Sequence, residues 1–224
     1  MDVKDKLEII NQKIKAACES SGRNPEEITI VAVTKYVSNE RAQEAVEAGL
    51  IHLGENRDEG LLLKWEELKD KPVWHFIGTL QSRKVKNIID KVSYIHSLDR
   101  MSLAKEINKR AVRPISCFVQ VNISGEESKH GLAPADVIPF IQSLQQYENI
   151  IVEGLMTMMP NIEDESELRG YFQKMKSLQA EIEAMGLEHA PCKELSMGMS
   201  NDFMIAIEEG ATFIRVGTAL VGDE

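Results

Sequence analysis

The feature that most limits what this chain can become is an alternation. The sequence predicts strands near Thr29–Thr34, Ile51–Gly54, Val73–Ile77, Ser93–Ser97, Ile115–Asn122, Ile150–Met156, Glu194–Ser196 and Thr212–Val216, with helical patterns between them. Strand–helix alternation throughout implies one parallel sheet covered by helices. Eight such strands point to an α/β fold of the (β/α)8 TIM-barrel type, although 224 residues is short for the class. The alternative is an open, doubly wound sheet. The turn after the first strand reads "TKYVSNE" and lacks the Gly-rich dinucleotide fingerprint, which disfavours that alternative. No Ser/Gly/Pro-rich linker divides the chain, so residues 1–224 read as a single domain. Val3, Leu7, Ile10, Ile14 and Ala17 lie at helical spacing before the first strand, and Gly22 and Pro25 stop the pattern. Only a few residues follow the eighth strand. This extra N-terminal helix is therefore expected to pack over the last gap in the barrel.

The later helices carry their own signals. Asp99 is a candidate N-cap for a helix bearing Leu103 and Ile107. Leu168, Phe172, Met175, Leu178, Ile182 and Met185 form one stripe, with Asp164 as N-cap and Gly186 as stop.

Charge and cysteine usage exclude several roles. The net charge is -10, so no basic excess exists to neutralise nucleic-acid phosphates. A local site can still oppose that global charge and hold a small anion. Charges interrupt the apolar pattern of "MDVKDKLEII", which reads as an amphipathic helix and not a signal peptide. No window approaches the roughly 18 apolar residues of a membrane span. Cys18, Cys117 and Cys192 are far apart, form no CxxC and show no metal spacing. They read as reduced thiols of a cytoplasmic protein.

In a parallel barrel the site lies at the C-terminal ends of the strands. The residues there are Lys35, Glu55, Asn56, His75, Gly78, Ser97, Asp99, Asn122, Met156, Thr157, the run "SMGMS" over 196–200, Arg215, Gly217 and Thr218. "SMGMS" is expected to end strand seven and to open a helix at Ser200, and "VGTALVG" to end strand eight. Backbone N–H groups in such turns bind phosphate, and barrels often hold one in the loops after strands seven and eight. The structural alternative is that Gly198 and Gly217 only permit tight turns and Ser200 only caps a helix.

Lys35 ends the apolar run "ITIVAVTKYV". Burial in a barrel mouth disfavours an ammonium, leaving a free amine able to attack a carbonyl. With a phosphate cradle beside it, two ligand classes fit: pyridoxal phosphate, or a sugar phosphate as in an aldolase. The structural alternative is a lysine that snorkels out to pair with Glu55. Arg215 beside the phosphate turn bears on the choice. An acidic partner would keep a pyridine nitrogen protonated, whereas an arginine would donate to an unprotonated one. His75 has a structural alternative as a hydrogen-bonded core residue. The methionines at 156, 158, 159, 197 and 199 read as packing around the mouth and not as metal ligands. "GEESKHG" reads as a solvated loop, with a lid over the site as its functional alternative.

Taken together, "VAVTKYV", "HLGEN", "WHFIGTLQSRKVK", "VNISGEESKHG", "GLMTM" and "LSMGMSNDFMIAIEEGATFIRVGTALVG" resemble the pyridoxal phosphate homeostasis protein family, over about Ile28 to Gly222. The resemblance implies a single barrel like the N-terminal domain of alanine racemase, with pyridoxal phosphate held as a Schiff base. The family's lysine falls on Lys35, its phosphate-binding serine on Ser200 and its phosphate turn on Gly217 and Thr218. Its arginine facing the pyridine nitrogen falls on Arg215, and its cofactor-contacting asparagine on Asn56. His75 and Met197 complete the candidate cofactor-binding set. "GENRDEG" departs from the commoner family pattern after Asn56, which bears on the next helix face and not on the cofactor contact.

Related barrel enzymes, the alanine racemases and basic amino-acid decarboxylases, carry a second β domain that supplies a catalytic group opposite the lysine. Here the sequence stops at "VGDE" just past strand eight, so that domain is expected to be absent. Of the four tyrosines only Tyr36 lies at a strand end, and strand alternation should point it away from Lys35. A racemase needs two acid/base groups on opposite faces of the substrate carbon. The resulting expectation is a monomeric carrier that buffers pyridoxal phosphate and releases it transiently to apo enzymes, without assigned catalytic residues. A low-activity amino-acid racemase and a Schiff-base sugar-phosphate aldolase are the alternatives.

Overall fold

The computed structural model describes residues 1–126 and 128–222. Glu127 of "GEESKHG", and Asp223 and Glu224 of "VGDE", lie outside the described residues. The strands are β1 Thr29–Val33, β2 His52–Glu55, β3 Val73–Phe76, β4 Tyr94–Leu98, β5 Ile115–Gln120, β6 Ile150–Met156, β7 Glu194–Met199 and β8 Phe213–Val216. Each pairs in parallel with the next, and β8 pairs with β1 from Thr29↔Phe213 to Ala32↔Val216. The sheet is therefore a closed eight-stranded barrel, and the open-sheet alternative falls.

The helices are α1 Val3–Ser21, α2 Asn39–Glu47, α3 Asp58–Leu68, α4 Val85–Ile88, α5 Met101–Arg110, α6 Pro134–Ser143, α7 Glu165–Ala184, α8 Phe203–Glu208 and α9 Thr218–Val221. Strand alternation divides the apolar residues between two cores. Leu53, Trp74, Phe76, Ile95 and Leu195 face outward and pack with the helices. Val31, Phe118, Met156 and Phe213 form a separate cluster with Tyr94 against it. Phe118 and Phe213 stand on β5 and β8, which are not neighbours, yet their ring centroids are 5.1 Å apart. Such a contact crosses the barrel axis, so this second cluster fills the interior.

α1 begins at Asp2, whose side chain accepts from Asp5 N–H, and ends at Gly22 with φ 69°. It buries Val3, Ile10, Ile14, Ala17 and Cys18. Ser20 Oγ donates to Glu208 at 2.9 Å on α8, and the Val3 N–H donates to Glu44 at 3.0 Å on α2. Arg23 Nη1 donates to the carbonyls of Ile207 and Ala211, each at 2.7 Å. These ties bridge the helices that follow β7 and β1. The leading helix thus covers the β8–β1 seam, as its position in the sequence suggests.

One helix start and one core position differ from expectation. α5 begins after Arg100, which makes no capping hydrogen bond, because Asp99 is engaged with the Arg100 guanidinium at 2.7 Å. α7 begins at Asp164 as expected, but Gln179 takes a core position in place of Leu178. Its amide donates to the Cys192 carbonyl at 2.6 Å, so burial leaves no polar group unpaired.

At the end of β2, Glu55 is fully buried. Its Oε1 accepts from Thr34 Oγ1 at 2.6 Å and pairs with Lys64 Nζ at 3.2 Å, while Oε2 has no partner. The partner of Glu55 is therefore Lys64 of α3, which overturns the Lys35–Glu55 alternative. Burial pushes the Glu55 carboxyl up, with the Lys64 ammonium and the Thr34 hydroxyl opposing.

Two predictions follow from these ties. Arg23→Ala should lower stability by about 2–3 kcal/mol in urea unfolding, because two helix-end carbonyls lose a charged donor; an unchanged midpoint would show that α1 does not close the seam through this contact. Lys64→Met removes the cation that opposes burial of Glu55. Folded Glu55 then keeps its proton above the ordinary value of 4.5, so the native state binds more protons than the unfolded chain. Stability of that variant should be greater at about pH 5 than at about pH 8, and equal stability at the two would refute the assignment.

Candidate functional site

A cavity of about 670 Å³ opens at the C-terminal end of the barrel. Six of the eight residues expected at the site line it: Lys35, Asn56, Ser200, Arg215, Gly217 and Thr218. Its size is within the range usual for a small-molecule site. The charged residues on its wall are Lys35, Lys129 and Arg215 against Asp202. This positive excess opposes the global charge and suits an anionic ligand.

Alternation along β1 turns Val31 toward the axis and continues that direction through Val33 to position 35. The strand, however, stops at Val33, and Thr34 is the last buried residue before the exposed pair Lys35 and Tyr36. Lys35 lies in the following turn and is exposed to the open cavity, not sunk in the apolar run. Its Nζ sits 4.8 Å from the centroid of the Tyr36 ring. Tyr36 therefore does not point away: once the chain leaves the strand, the two side chains share one wall of the mouth.

Asn56 follows β2. Its Oδ1 is buried and has no partner. Gly78, from the loop after β3, closes on it: a Cβ at Gly78 would lie 2.3 Å from the Asn56 carbonyl oxygen. Only glycine permits that approach.

β7 continues to Met199, three residues past its expected end, through a register shift against β8 between Ser196 and Met199. Gly198 has φ +94°, and a Cβ there would stand 2.6 Å from the Ala206 Cβ. This glycine lets α8 close against the turn. The helix starts at Phe203, not at Ser200, and Asp202 Oδ1 accepts from the Met199 N–H at 2.5 Å. Ser200 is thereby free of a capping role. Its Oγ accepts from the Gly217 N–H at 3.3 Å, which joins the two glycine-containing turns.

Arg215 is 4% exposed. Nη1 donates to Ser196 Oγ at 2.7 Å and Nη2 to the Thr157 carbonyl at 2.8 Å. Burial pulls its guanidinium down to about 10, opposed by the Asp202 carboxylate. Burial pushes Asp202 up, opposed by the Met199 N–H and by Arg215.

Two expected site residues lie elsewhere. Met197 is fully buried in the core between barrel and helices, because alternation on β7 turns Ser196 inward and Met197 outward. His75 points into the barrel but stands away from the cavity wall. Both its ring nitrogens are taken, by His52 and His96 at 2.9 Å each. It is the hydrogen-bonded core histidine of the structural alternative.

Sequence reasoning missed Gln120 and Asp202 on the cavity wall, whereas Lys129 and His130 come from "GEESKHG", the loop whose functional alternative was a lid over the site. Gln120 was hidden because strand five was carried on to Asn122; its register position as the last inward residue of β5 was the available signal. Among the described residues, no group of three or more His, Cys, Asp or Glu could hold a metal ion. None of their helices is long and apolar enough to cross a membrane.

Comparison with known proteins gives the family and the fold. The family model "Alanine racemase, N-terminal domain" matches residues 12–224. A relative from Aquifex aeolicus, named pyridoxal phosphate homeostasis protein, is 40% identical over 230 residues, covering 100% of this chain and 99% of its own length. The PipY structure from Synechococcus elongatus, solved with PLP bound, superposes with a TM-score of 0.85 at 30% identity over 98% of this chain and all of that one. An alanine racemase from Clostridium difficile shares the fold, with a TM-score of 0.77 at 16% identity, over 98% of this chain and 56% of its own. The chain belongs to the pyridoxal phosphate homeostasis protein family, on an alanine racemase N-terminal-domain barrel.

Proposed function

We propose that this protein binds pyridoxal 5'-phosphate in the barrel-mouth cavity and acts in its homeostasis as a carrier. The observation that carries the reading is convergence: the Lys35 amine, the Ser200–Gly217 turn pair and the buried Arg215 guanidinium line one cavity. The unpaired Asn56 Oδ1 on the same wall is a buried polar atom in want of a partner, and a ligand with polar edges supplies one. The donor set fits the group. Ser200 Oγ accepts from the Gly217 N–H, and its hydroxyl proton can be offered to a phosphate oxygen. Gly217 and Thr218 bring backbone to the same place. Arg215 presents a guanidinium to an acceptor such as an unprotonated pyridine nitrogen. Asn56 holds the ring edge, and Lys35 supplies the amine.

When bound, the cofactor's aldehyde supplies a reversible carbon–nitrogen linkage to an amine. Lys35 stands in a turn at the open side of the cavity, where water can reach it, and this suits exchange more than a sealed active site does. Arg215 in place of a carboxylate weakens the electron sink that carbanion chemistry needs. Every group invoked comes from this one chain, so the site is complete in a monomer, which would pass the cofactor to apo enzymes in transient encounters. The three cysteines are buried and unpaired, as suits a reducing cytoplasm. A low-activity racemase remains the second reading on one observation: Tyr36 shares the mouth with Lys35.

Incubation with pyridoxal phosphate should turn the protein yellow. Borohydride should bleach it and leave a pyridoxyl adduct mapped to Lys35, and Lys35→Ala should carry none. A protein that stays colourless and gains no adduct would refute the reading. Ser200→Ala should weaken binding about tenfold, measured by equilibrium dialysis, through loss of one hydrogen bond to a charged group. Exchange of the α-proton of added amino acids in deuterated water separates the readings. The carrier predicts none above the free-cofactor rate, and Tyr36-dependent exchange would establish the racemase.

A further inference from the structure

Three histidines cross the interior of this barrel, and nothing in the proposed site uses them directly. His52 Nδ1 meets His75 Nε2 at 2.9 Å, and His75 Nδ1 meets His96 Nε2 at 2.9 Å. His96 Nδ1 meets Ser196 Oγ at 2.8 Å, and that oxygen accepts from Arg215 at 2.7 Å. The chain therefore runs from the cavity wall, through β7, β4 and β3, to the start of β2.

Its direction is fixed at one end. An arginine is a donor only. Ser196 Oγ accepts from it, so its own proton must go elsewhere, and no other acceptor for it occurs among the described residues. That proton goes to His96 Nδ1; the reverse would leave a buried hydroxyl proton unpaired. His96 then carries its proton on Nε2 and donates to His75 Nδ1. His75 likewise carries its proton on Nε2 and donates to His52. A half-turn of the His75 or His96 ring would put carbons where its nitrogens now meet their partners, so the hydrogen bonds themselves hold the order, and aromatic neighbours hold the ring planes. His75 lies flat on Tyr94, with centroids 4.5 Å apart and planes at 2°, and His96 stacks on Phe118 at 4.4 Å.

The order has an electrostatic consequence. In each imidazole the unprotonated nitrogen is the negative end of the ring dipole. Here that end faces Arg215 at every link. Among the described residues no carboxylate hydrogen-bonds the Arg215 guanidinium; Asp202 acts on it through space. A buried cation without a contacting anion needs compensation. Burial holds His75 and His96 well below the ordinary histidine value, so both supply dipoles and no competing charge.

We propose that Ser196, His96, His75 and His52 form a one-way hydrogen-bond chain whose aligned dipoles stabilise and aim the Arg215 guanidinium at the cavity. They are positioning residues. The consequence for pyridoxal phosphate rests on the function proposed above, but the chain itself does not.

The experiment uses full-length protein labelled with 15N-histidine, without added ligand, near neutral pH. Long-range 1H–15N correlation spectra separate the two neutral tautomers, and single His→Gln variants assign the five histidines. His75 and His96 should each show one form, protonated on Nε2. Ser196→Ala removes the link to Arg215 and should release His96 into a mixture of tautomers, whereas Ser196→Thr, which keeps the hydroxyl, should preserve the pattern. An Nδ1-protonated His75 or His96 in the parent protein would overturn the proposal, as would tautomers unchanged in Ser196→Ala. In the same variants, pyridoxal phosphate affinity should fall about tenfold with Ala and recover with Thr. If the parent binds no pyridoxal phosphate, the functional reading fails while the tautomer result still judges the chain.

Discussion

Everything in this molecule depends on the pairing of β8 with β1. That single seam converts eight parallel strands into a closed surface with no free edge. Closure makes all eight C-terminal ends converge, and so brings Lys35 of the first turn beside Gly217 of the last. α1 covers the seam from the other end of the chain, held by Arg23 to the carbonyls of Ile207 in α8 and of Ala211 just after it, and by Val3 to α2. A site built from both chain ends is therefore only as firm as the docking of a helix that touches no ligand.

The barrel interior is layered by chemistry. Val31, Phe118, Met156 and Phe213 pack as an apolar plug, with the rings of Tyr94 and His75 against it. Beside this plug runs the polar chain from His52 to Arg215. A small barrel has room for side chains and not for water, so its polar atoms must find partners within it. The histidines meet that demand by bonding one another, and the stacked aromatic rings hold them in register. Arg215, a buried charge of this interior, lies at its upper limit, where it faces the cavity.

Two parts of the cavity lining differ in construction. The wall of Asn56, Ser200, Gly217 and Arg215 rests on strand ends and on close backbone approaches that only Gly78 and Gly198 permit. The other part of the lining, with Lys129, His130, Met158 and Met159, comes from longer loops. Rigid elements set recognition, and loops set access.

Much of this was legible in the chain itself. β-branched runs alternating with 3.6-period stripes determined the barrel, since a parallel strand buried on both faces must be apolar and a covering helix must be amphipathic. Lys35, Asn56, Ser200 and Arg215 were readable because the barrel topology names strand ends as the site. What the sequence could not determine was phase and depth. Whether Met197 or Ser196 faces the axis depends on where β7 starts and where its register shifts, and one residue of slip exchanges the two. Whether Lys35 is sunk or exposed depends on β1 stopping at Val33. The partners of His75 come from two other strands and are separated from it by 23 and 21 residues, so no local pattern marks them. The sequence by itself determined the fold and the ring of residues at its mouth, through short-range periodicity. Only the tertiary structure decided which of them face the cavity, and that three scattered histidines join an arginine in one chain, because hydrogen bonds across a barrel depend on closure, tilt and register.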